Sequence, residues 1–366
     1  MRDEEWMQQA LDLAKKGRGW VNPNPLVGAV VVKEGRVLGQ GYHTAYGKPH
    51  AEREALAACT EDPEGATFYV NLEPCCHYGK TPPCTEAVIE SGIQRVVVGA
   101  LDPHDKVAGK GVQALKEAGL EVKVGVLEKE CQHLNRVFEK FIVSHKPYVV
   151  AKYAMTLDGK IATRTGASRW VTGPEARQRV HQTRHALSAI MVGVNTIQAD
   201  DSLLTCRLDG GEDPVRIICD SELRTPLDSQ VVQTADQVPT YLATTCRDAD
   251  RQATYREAGC GIIELGRRQG HLDLAELMTQ LGKMDLDSVL LEAGGTLTWS
   301  ALALGLVDEV HSYIAPKLFG GQAMSPVAGQ GVAKPDQAIQ LEPFAWSQVG
   351  KDYLIESKVV SGCLPD

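Results

Sequence analysis

His50-Ala51-Glu52, Pro74-Cys75 and Cys84 follow one another in the first part of the chain, and together they can perform hydrolytic metal chemistry. One imidazole and two thiolates, from His50, Cys75 and Cys84, fill three positions of a tetrahedral zinc and leave the fourth to water. Zinc held in this way lowers the pKa of that water and yields hydroxide near neutral pH. Glu52 stands two residues after the histidine and cannot easily coordinate the same ion. Its carboxylate can lie beside the water instead, taking its proton and delivering it to a ring nitrogen and then to a leaving amine. Taken singly the pieces are weak. His-Ala-Glu triplets arise by chance, three cysteines near one histidine can form a closed structural zinc site, and an acid in a first helical turn can serve the macrodipole. Cys76 could bind in place of Cys75, but Cys75 directly follows Pro74. The ordered combination outweighs each alternative.

The second half offers a different kind of site. Gly294-Gly295-Thr296 follows the apolar run Ser288 to Leu291 and opens a helical stretch to about Leu304. Glycine permits close backbone approach, and the amides of a helix start suit a dinucleotide phosphate. An ordinary strand-to-helix turn would read the same way. No Gly-x-Gly-x-x-Gly follows a strand, so the standard dinucleotide-binding fingerprint is absent.

These residues need a scaffold, and the hydrophobic pattern supplies one. Helical spacing runs from about Glu4 to Lys16, and Leu26 to Val32 reads as a buried strand ended by a turn at Glu34-Gly35. A helix at 50–58, strands at 67–71, 95–99 and 121–126, and helices at 85–91 and 111–118 follow. A helix over 128–142 closes this part, and alternation of this kind predicts a layered α/β domain with a mostly covered sheet. Beyond Pro147 the pattern resets, with strands expected at 148–153, 189–192, 215–219, 241–243, 288–291 and 309–314. The Asp- and Arg-rich segments 207–214 and 246–252 read as surface loops. Two domains are expected, 1–146 and 147–366, which suits a chain of 366 residues.

The composition is that of a soluble globular protein, 43% hydrophobic and 23% charged. Its net charge of −9 argues against a nucleic-acid scaffold, where a basic face is expected, so phosphate must be held by local cations and amides. No apolar run reaches the length of a membrane span, and the acidic N-terminus lacks a signal-peptide core. Ten cysteines without a secretory signal predict reduced thiols in the cytoplasm, and only Cys75, Cys76 and Cys84 cluster.

The order His-x-Glu, Pro-Cys, Cys matches the signature of zinc nucleobase deaminases, except that eight residues separate the two cysteines where two are usual. The longer Cys75–Cys84 loop, with Asn22-Pro23-Asn24-Pro25-Leu26-Val27-Gly28 and Gly41-Tyr42-His43, resembles the deaminase domain of the bifunctional riboflavin-biosynthesis deaminase/reductase family. The second half is similar to the reductase domain of the same family at Lys152–Lys160, Ser168–Thr172, Val192–Thr196, Ala199–Asp201 and Leu291–Thr296. The likeness is collinear over essentially the whole chain. It implies a cytidine-deaminase-like three-layer αβα domain followed by an α/β domain similar to dihydrofolate reductase.

That resemblance also assigns residues. Glu52 is implied as the catalytic group, and His50, Cys75 and Cys84 as the ligands of one zinc per chain. Asn24, His43, His77 and Lys80 are implied to contact the first substrate; Lys80 suits its phosphate and the Asn24 amide a pyrimidine edge. In the second domain Ser168, Arg184, Leu204, Arg207 and Glu292 are implied to hold the ribosylaminopyrimidine, with Arg184 and Arg207 able to clamp phosphate. Lys152 and Glu292 are candidates for positioning or proton transfer. Ala154, Trp170, Thr196, Asp200, Ser221 and the segment Gly294, Gly295, Thr296, Leu297, Thr298, Trp299 and Ser300 are implied to line an NADPH site. The chain departs from the family pattern at Ala293, and at Asp201-Ser202 where Asp-Pro is more usual, which should alter rigidity rather than chemistry. A small phosphorylated pyrimidine is the expected partner, with no nucleic acid or membrane, and a homo-oligomer, dimer or tetramer, is expected.

Overall fold

The structure, a computed structural model, describes residues 2–78, 82–104 and 107–361. The chain divides into two compact units, 1–145 and 146–366.

The first unit runs α1 (Asp3–Ala14), β1 (Gly28–Lys33), β2 (Arg36–Tyr42), α2 (Ala51–Ala57), β3 (Thr67–Leu72) and α3 (Cys84–Glu90). It ends with β4 (Arg95–Ala100), α4 (Lys110–Glu117), β5 (Glu121–Val124) and α5 (Glu128–Ser144). The sheet order is β2-β1-β3-β4-β5; β1 pairs antiparallel with both neighbours, and β3, β4 and β5 are parallel. The continuous β-branched stretch of β1 faces two cores. Ala29 and Val31 pack with Ala51 and Ala55 of α2, Val88 of α3 and Leu115 of α4. Val30 and Val32 pack on the other side with Trp6, Met7, Ala10 and Leu11 of α1 and Leu134 of α5. Helices on both faces cover the sheet, as the pattern predicts, and make the three layers that the resemblance implies. Strand β2 was not expected, because Gly39 and Gly41 dilute its apolar signal. Both glycines are required by the closeness of α2: a Cβ at Gly39 would meet the Ala55 carbonyl oxygen at 2.3 Å, and one at Gly41 the Ala55 amide nitrogen at 2.5 Å.

The second unit opens with β6 (Tyr148–Thr156), α6 (Pro174–Ala186), β7 (Ala189–Gly193), α7 (Val194–Asp200), β8 (Val215–Cys219), α8 (Gln230–Gln233) and β9 (Thr240–Thr244). Then come α9 (Ala249–Glu257), β10 (Gly261–Glu264), β11 (Arg267–Arg268), β12 (His271–Leu272), α10 (Leu274–Lys283) and β13 (Ser288–Leu291). It closes with α11 (Gly295–Ala303), β14 (Glu309–Ala315), β15 (Gln340–Val349) and β16 (Asp352–Ser361). Nine strands form one sheet in the order β10-β9-β8-β7-β13-β6-β14-β16-β15. All contacts from β10 through β14 are parallel, and the β14–β16 and β16–β15 pairs are antiparallel. The chain starts at β6, steps outward through β7 to β10, and returns to place β13 between β6 and β7. This reversal opens a crevice at the carboxyl ends of the strands, where parallel sheets bind ligands.

Alternate residues of the sheet enter separate cores. Met191, Ile217, Val289 and Leu291 pack with Leu277, Met278 and Leu281 of α10 and Ala301 of α11. Ile190, Val192, Ile218 and Leu242 pack with Ile197 of α7, Val231 of α8 and Tyr255 of α9. The polar segment 246–252, expected as a loop, contains the start of α9. Asp248 is the reason, since its carboxylate accepts the amides of Asp250 and Arg251 and caps the helix.

Candidate active sites

In the first unit three donors converge. His50 is the residue preceding α2, Cys75 follows β3 through Glu73-Pro74, and Cys84 begins α3. His50 Nδ1 lies 3.7 Å from Cys75 Sγ and 3.4 Å from Cys84 Sγ, and the Cys84 amide donates to Cys75 Sγ at 3.3 Å. Ordinary zinc–nitrogen and zinc–sulfur bonds at a tetrahedral angle would separate such atoms by about 3.6 Å, so the set fits the ion. Cys76 does not belong to this group. Hydrogen bonding from Cys84, and then from His50, holds the Cys75 thiol down to about 4 against the opposing effect of burial. That favours the thiolate a metal needs.

Glu52 lies in the first turn of α2 and is only 4% exposed. Burial, with the Cys75 charge adding to it, pushes its carboxyl up to about 7, where a group can both take and give a proton. Glu73, buried beneath the ligand loop, accepts the amides of Asp102 at 3.2 Å and of Gly109 and Val112 at 2.9 Å. It thereby ties the turn after β4 to the Pro74-Cys75 corner. Gly111 completes this contact, because a Cβ there would meet the Pro74 carbonyl oxygen at 2.2 Å.

Asn24 and His43 form the wall beside the metal ligands. The Asn24 amide donates to His43 Nε2 at 3.1 Å, and His43 Nδ1 donates to the Pro49 carbonyl at 3.0 Å. Burial lowers the His43 pKa, which keeps the ring neutral and consistent with that tautomer. Its ring stands edge-on to His50 at 5.6 Å. Asn71 and Asn135 fix the neighbouring backbone by accepting from the amides of Gly28 and Leu26 and donating to the Leu26 carbonyl. His77 is exposed, with its ring stacked on His104 at 6.5 Å, and does not join the donor cluster. Lys80 lies outside the described residues.

In the second unit a cavity of about 620 Å³ opens at the crevice. Lys152, Ser168, Arg184, Leu204, Arg207 and Glu292 all line it, as do Ala154, Trp170, Thr196 and Asp200. Its volume is in the range of small-molecule sites. Lys152 projects from β6 and Glu292 follows β13, whose register sets Leu291 beside Ala151. Lys152 Nζ donates to Glu292 Oε2 at 2.9 Å, and Arg184 of α6 donates through Nε to Oε1 at 2.8 Å. Burial alone would push the Glu292 carboxyl up, but Arg184 and then Lys152 more than offset it and hold it well below the usual range. A further donor of Arg184 goes to the Thr205 carbonyl at 2.9 Å. The arginine expected as a phosphate clamp is therefore committed to the carboxylate, whereas Arg207 remains exposed at the cavity.

Trp170 is 59% exposed and carries the Arg177 guanidinium 4.5 Å above its ring. Gly294 to Ser300 do not line the cavity; they form the start of α11, which has no side-chain cap. The Leu297 side chain approaches Gly193 at the β7–α7 turn, so the helix start borders the same crevice. An uncapped helix start with exposed Gly294 and Thr296 suits a dinucleotide phosphate. Ser221 lies off the cavity lining at the end of β8, its carbonyl accepting the Thr244 and Thr245 hydroxyls at 3.1 Å. Sequence reasoning missed His181 and Arg177, both lining the cavity from α6. Their spacing from Arg184, three and seven residues, put all three on one helix face and was the available signal.

Fold and sites together define a two-part enzyme, a zinc-binding deaminase domain followed by a reductase domain. Residues 1–100 match the cytidine and deoxycytidylate deaminase zinc-binding region, and residues 147–355 match the RibD C-terminal domain. The chain belongs to the RibD family of bifunctional deaminase/reductases in riboflavin biosynthesis, whose cofactors are zinc and NADPH. The riboflavin biosynthesis protein RibD of Actinobacillus pleuropneumoniae is 50% identical over 362 residues, covering 99% of this chain and 96% of that one. That of Escherichia coli K12 is 40% identical, with coverage of 96% and 98%. The Thermotoga maritima diaminohydroxyphosphoribosylaminopyrimidine deaminase/5-amino-6-(5-phosphoribosylamino)uracil reductase superposes with a TM-score of 0.88 at 36% identity over 98% of both chains. Acinetobacter baumannii RibD gives a TM-score of 0.88 at 37% identity, covering 98% of this chain and 99% of that one.

Proposed function

We propose that the first site hydrolytically deaminates 2,5-diamino-6-(5-phosphoribosylamino)pyrimidin-4-one, and that the second reduces the ribosyl group of the resulting uracil to ribityl. The observation that carries this reading is the convergence of His50, Cys75 and Cys84 with buried Glu52 beside them. Zinc, when held by those three ligands, supplies an acidified water next to the ring carbon bearing the 2-amino group. Glu52 takes one proton from the water and passes it to the ring nitrogen, then takes the remaining proton from the new hydroxyl as it becomes the carbonyl and passes it to the amine, which leaves as ammonia. Asn24 presents its amide to the pyrimidine edge, oriented from behind by neutral His43.

NADPH, when bound, would supply the hydride for C1 of the opened ribose, and residues of the cavity lining together with the start of α11 would hold it. Lys152 and Glu292 hold the reacting end, Arg184 keeps Glu292 ionised, and Arg207 meets the phosphate. Ser168 and Leu204 complete the substrate wall, while Ala154, Trp170, Thr196 and Asp200 line the cofactor side. Ammonia release and NADPH oxidation, followed separately on the diamino substrate, test the assignment. Ammonia should appear without NADPH, and NADPH should fall only once deamination has begun. Ammonia release with no NADPH oxidation, even on supplied deaminated intermediate, would remove the reductase assignment.

A homo-oligomeric state, dimer or tetramer, is part of the same reading. It is supported by the edge strand β15, on which Trp346 is 76% exposed and Phe344 41% exposed. Light scattering should give a multiple of the 39.7 kDa chain mass, and the single-chain mass overturns it. The cytoplasm is the proposed compartment, supported by free thiols at all nine described cysteines. No helix among the described residues is long and apolar enough to cross a membrane.

A further inference from the structure

Away from His50, Cys75 and Cys84, one further group of metal-binding side chains converges among the described residues: Glu309, His311 and Glu356. Glu309 and His311 stand two apart on β14, and a strand turns such a pair to one face of its sheet. His311 lies directly opposite Glu356 of β16 in the antiparallel register, where facing side chains start about 5 Å apart. Strand geometry alone therefore brings two carboxylates and one imidazole to the same spot.

The side chains use that placement. His311 Nε2 lies 2.6 Å from Glu309 Oε1 and 3.5 Å from Glu356 Oε1. One proton on Nε2 serves Glu309 and leaves Glu356 outside the hydrogen bond. A dication would serve all three. Zinc bound tetrahedrally to nitrogen and oxygen separates its donors by about 3.3 Å, which falls between the two observed distances. Glu309 is fully buried, and the Tyr148 hydroxyl donates to its Oε2 at 2.9 Å, leaving Oε1 to face His311. Carboxylate ligands of metals are commonly held by an outer hydrogen bond of this kind. His311 is 6% exposed, and its Nδ1 is buried with no hydrogen-bond partner. Every polar contact of this buried ring thus runs into the pair of acids. Burying such groups is costly unless they are matched, and a bound cation supplies the match.

We propose that Glu309, His311 and Glu356 form a second metal site, on the sheet of the reductase domain, and that it takes zinc. Mixed imidazole and carboxylate donors suit zinc, whereas magnesium and calcium prefer oxygen alone. Glu356 is the most exposed of the three and gives the ion its way in. Binding ties β14 to β16, beside the strand β6 on which Lys152 is the register partner of His311. The site is the weaker of the two in the chain. It has no thiolate, and His311 lacks the outer hydrogen bond whose loss typically weakens a metal site about 10- to 100-fold.

The test is the zinc content of the full-length protein, stripped with chelator and brought to equilibrium by dialysis against zinc, with and without excess magnesium. Wild type should hold two zinc ions per chain, with affinities at least about 10-fold apart. Glu356→Gln and His311→Gln should each hold one, the weakly bound ion being lost. Glu356 is partly exposed, so its replacement should leave the sheet folded. Ammonia release and NADPH oxidation on supplied deaminated intermediate check this, and both should match wild type in Glu356→Gln. A single zinc in the wild-type protein overturns the proposal. So do two zinc ions in either variant, which would place the second ion elsewhere on the surface. Loss of the second zinc on adding magnesium also overturns it, because an oxygen-only cation site would then be the source.

Discussion

Replacing Glu52 by glutamine is expected to slow ammonia release from the diamino substrate by about 10³-fold, within the range set by loss of a positioned acid–base group. Glutamine matches the carboxylate in size and can still donate or accept a hydrogen bond, but it cannot carry a proton away from water. Because Glu52 is not among the converging donors, zinc content should stay at the wild-type level. Burial of the native side chain at 4% exposure also means that the neutral replacement removes a desolvation cost, so the fold should not suffer. NADPH oxidation on supplied deaminated intermediate should proceed at the wild-type rate. A variant that still releases ammonia at more than a tenth of the native rate would remove Glu52 from the proton path.

The second large effect is expected at Glu292. Its side chain is only 11% exposed and stands between two cations, Lys152 and Arg184. Glu292→Gln leaves those two charges facing each other with little solvent, and breaking a buried ion network of this kind costs about 3 kcal/mol. Reductase turnover should fall about 10²-fold as Lys152 and Arg184 move from their places, while ammonia release is unaffected. The pH dependence has a definite sign. The folded carboxyl titrates below its ordinary value of 4.5, so its stabilising contribution is fully present above that value. It is lost only as pH falls through the lower folded value. In urea unfolding near neutral pH the variant should be the less stable protein, and the difference should close in strong acid. Equal stability at neutral pH would show that the network contributes nothing.

The chain wrote its chemistry more openly than its architecture. His50, Glu52, Cys75 and Cys84 are readable because zinc hydrolysis accepts few residue types and fixes their order. Strands β1, β3, β4, β8 and β13 are readable because strands covered on both faces are continuous apolar runs. The hairpin β15–β16 is not, since exposed β15 alternates polar and apolar residues around Pro343 and packs little of itself. Arg184 shows the other limit. Its residue type suggested phosphate, but charge pairing depends on who stands opposite, and Glu292 lies 108 residues further on. Lys152, Arg184 and Glu292 were each visible as candidates, yet their mutual ionisation is a property of three elements meeting. The same holds for His43, which the resemblance implied as a substrate contact and whose buried ring accepts from Asn24 and donates to the Pro49 carbonyl.

Every side chain assigned to the first reaction lies before residue 146, and every one assigned to the second lies after it, each set inside its own compact unit. For heredity the chain is therefore two genes written as one sentence. A substitution confined to one site leaves the side chains of the other in place, so two copies with such substitutions in opposite halves are expected to share the work in one cell. Selection can likewise alter the residues of one site without touching those of the other, and fusion makes the two catalysts in equal number.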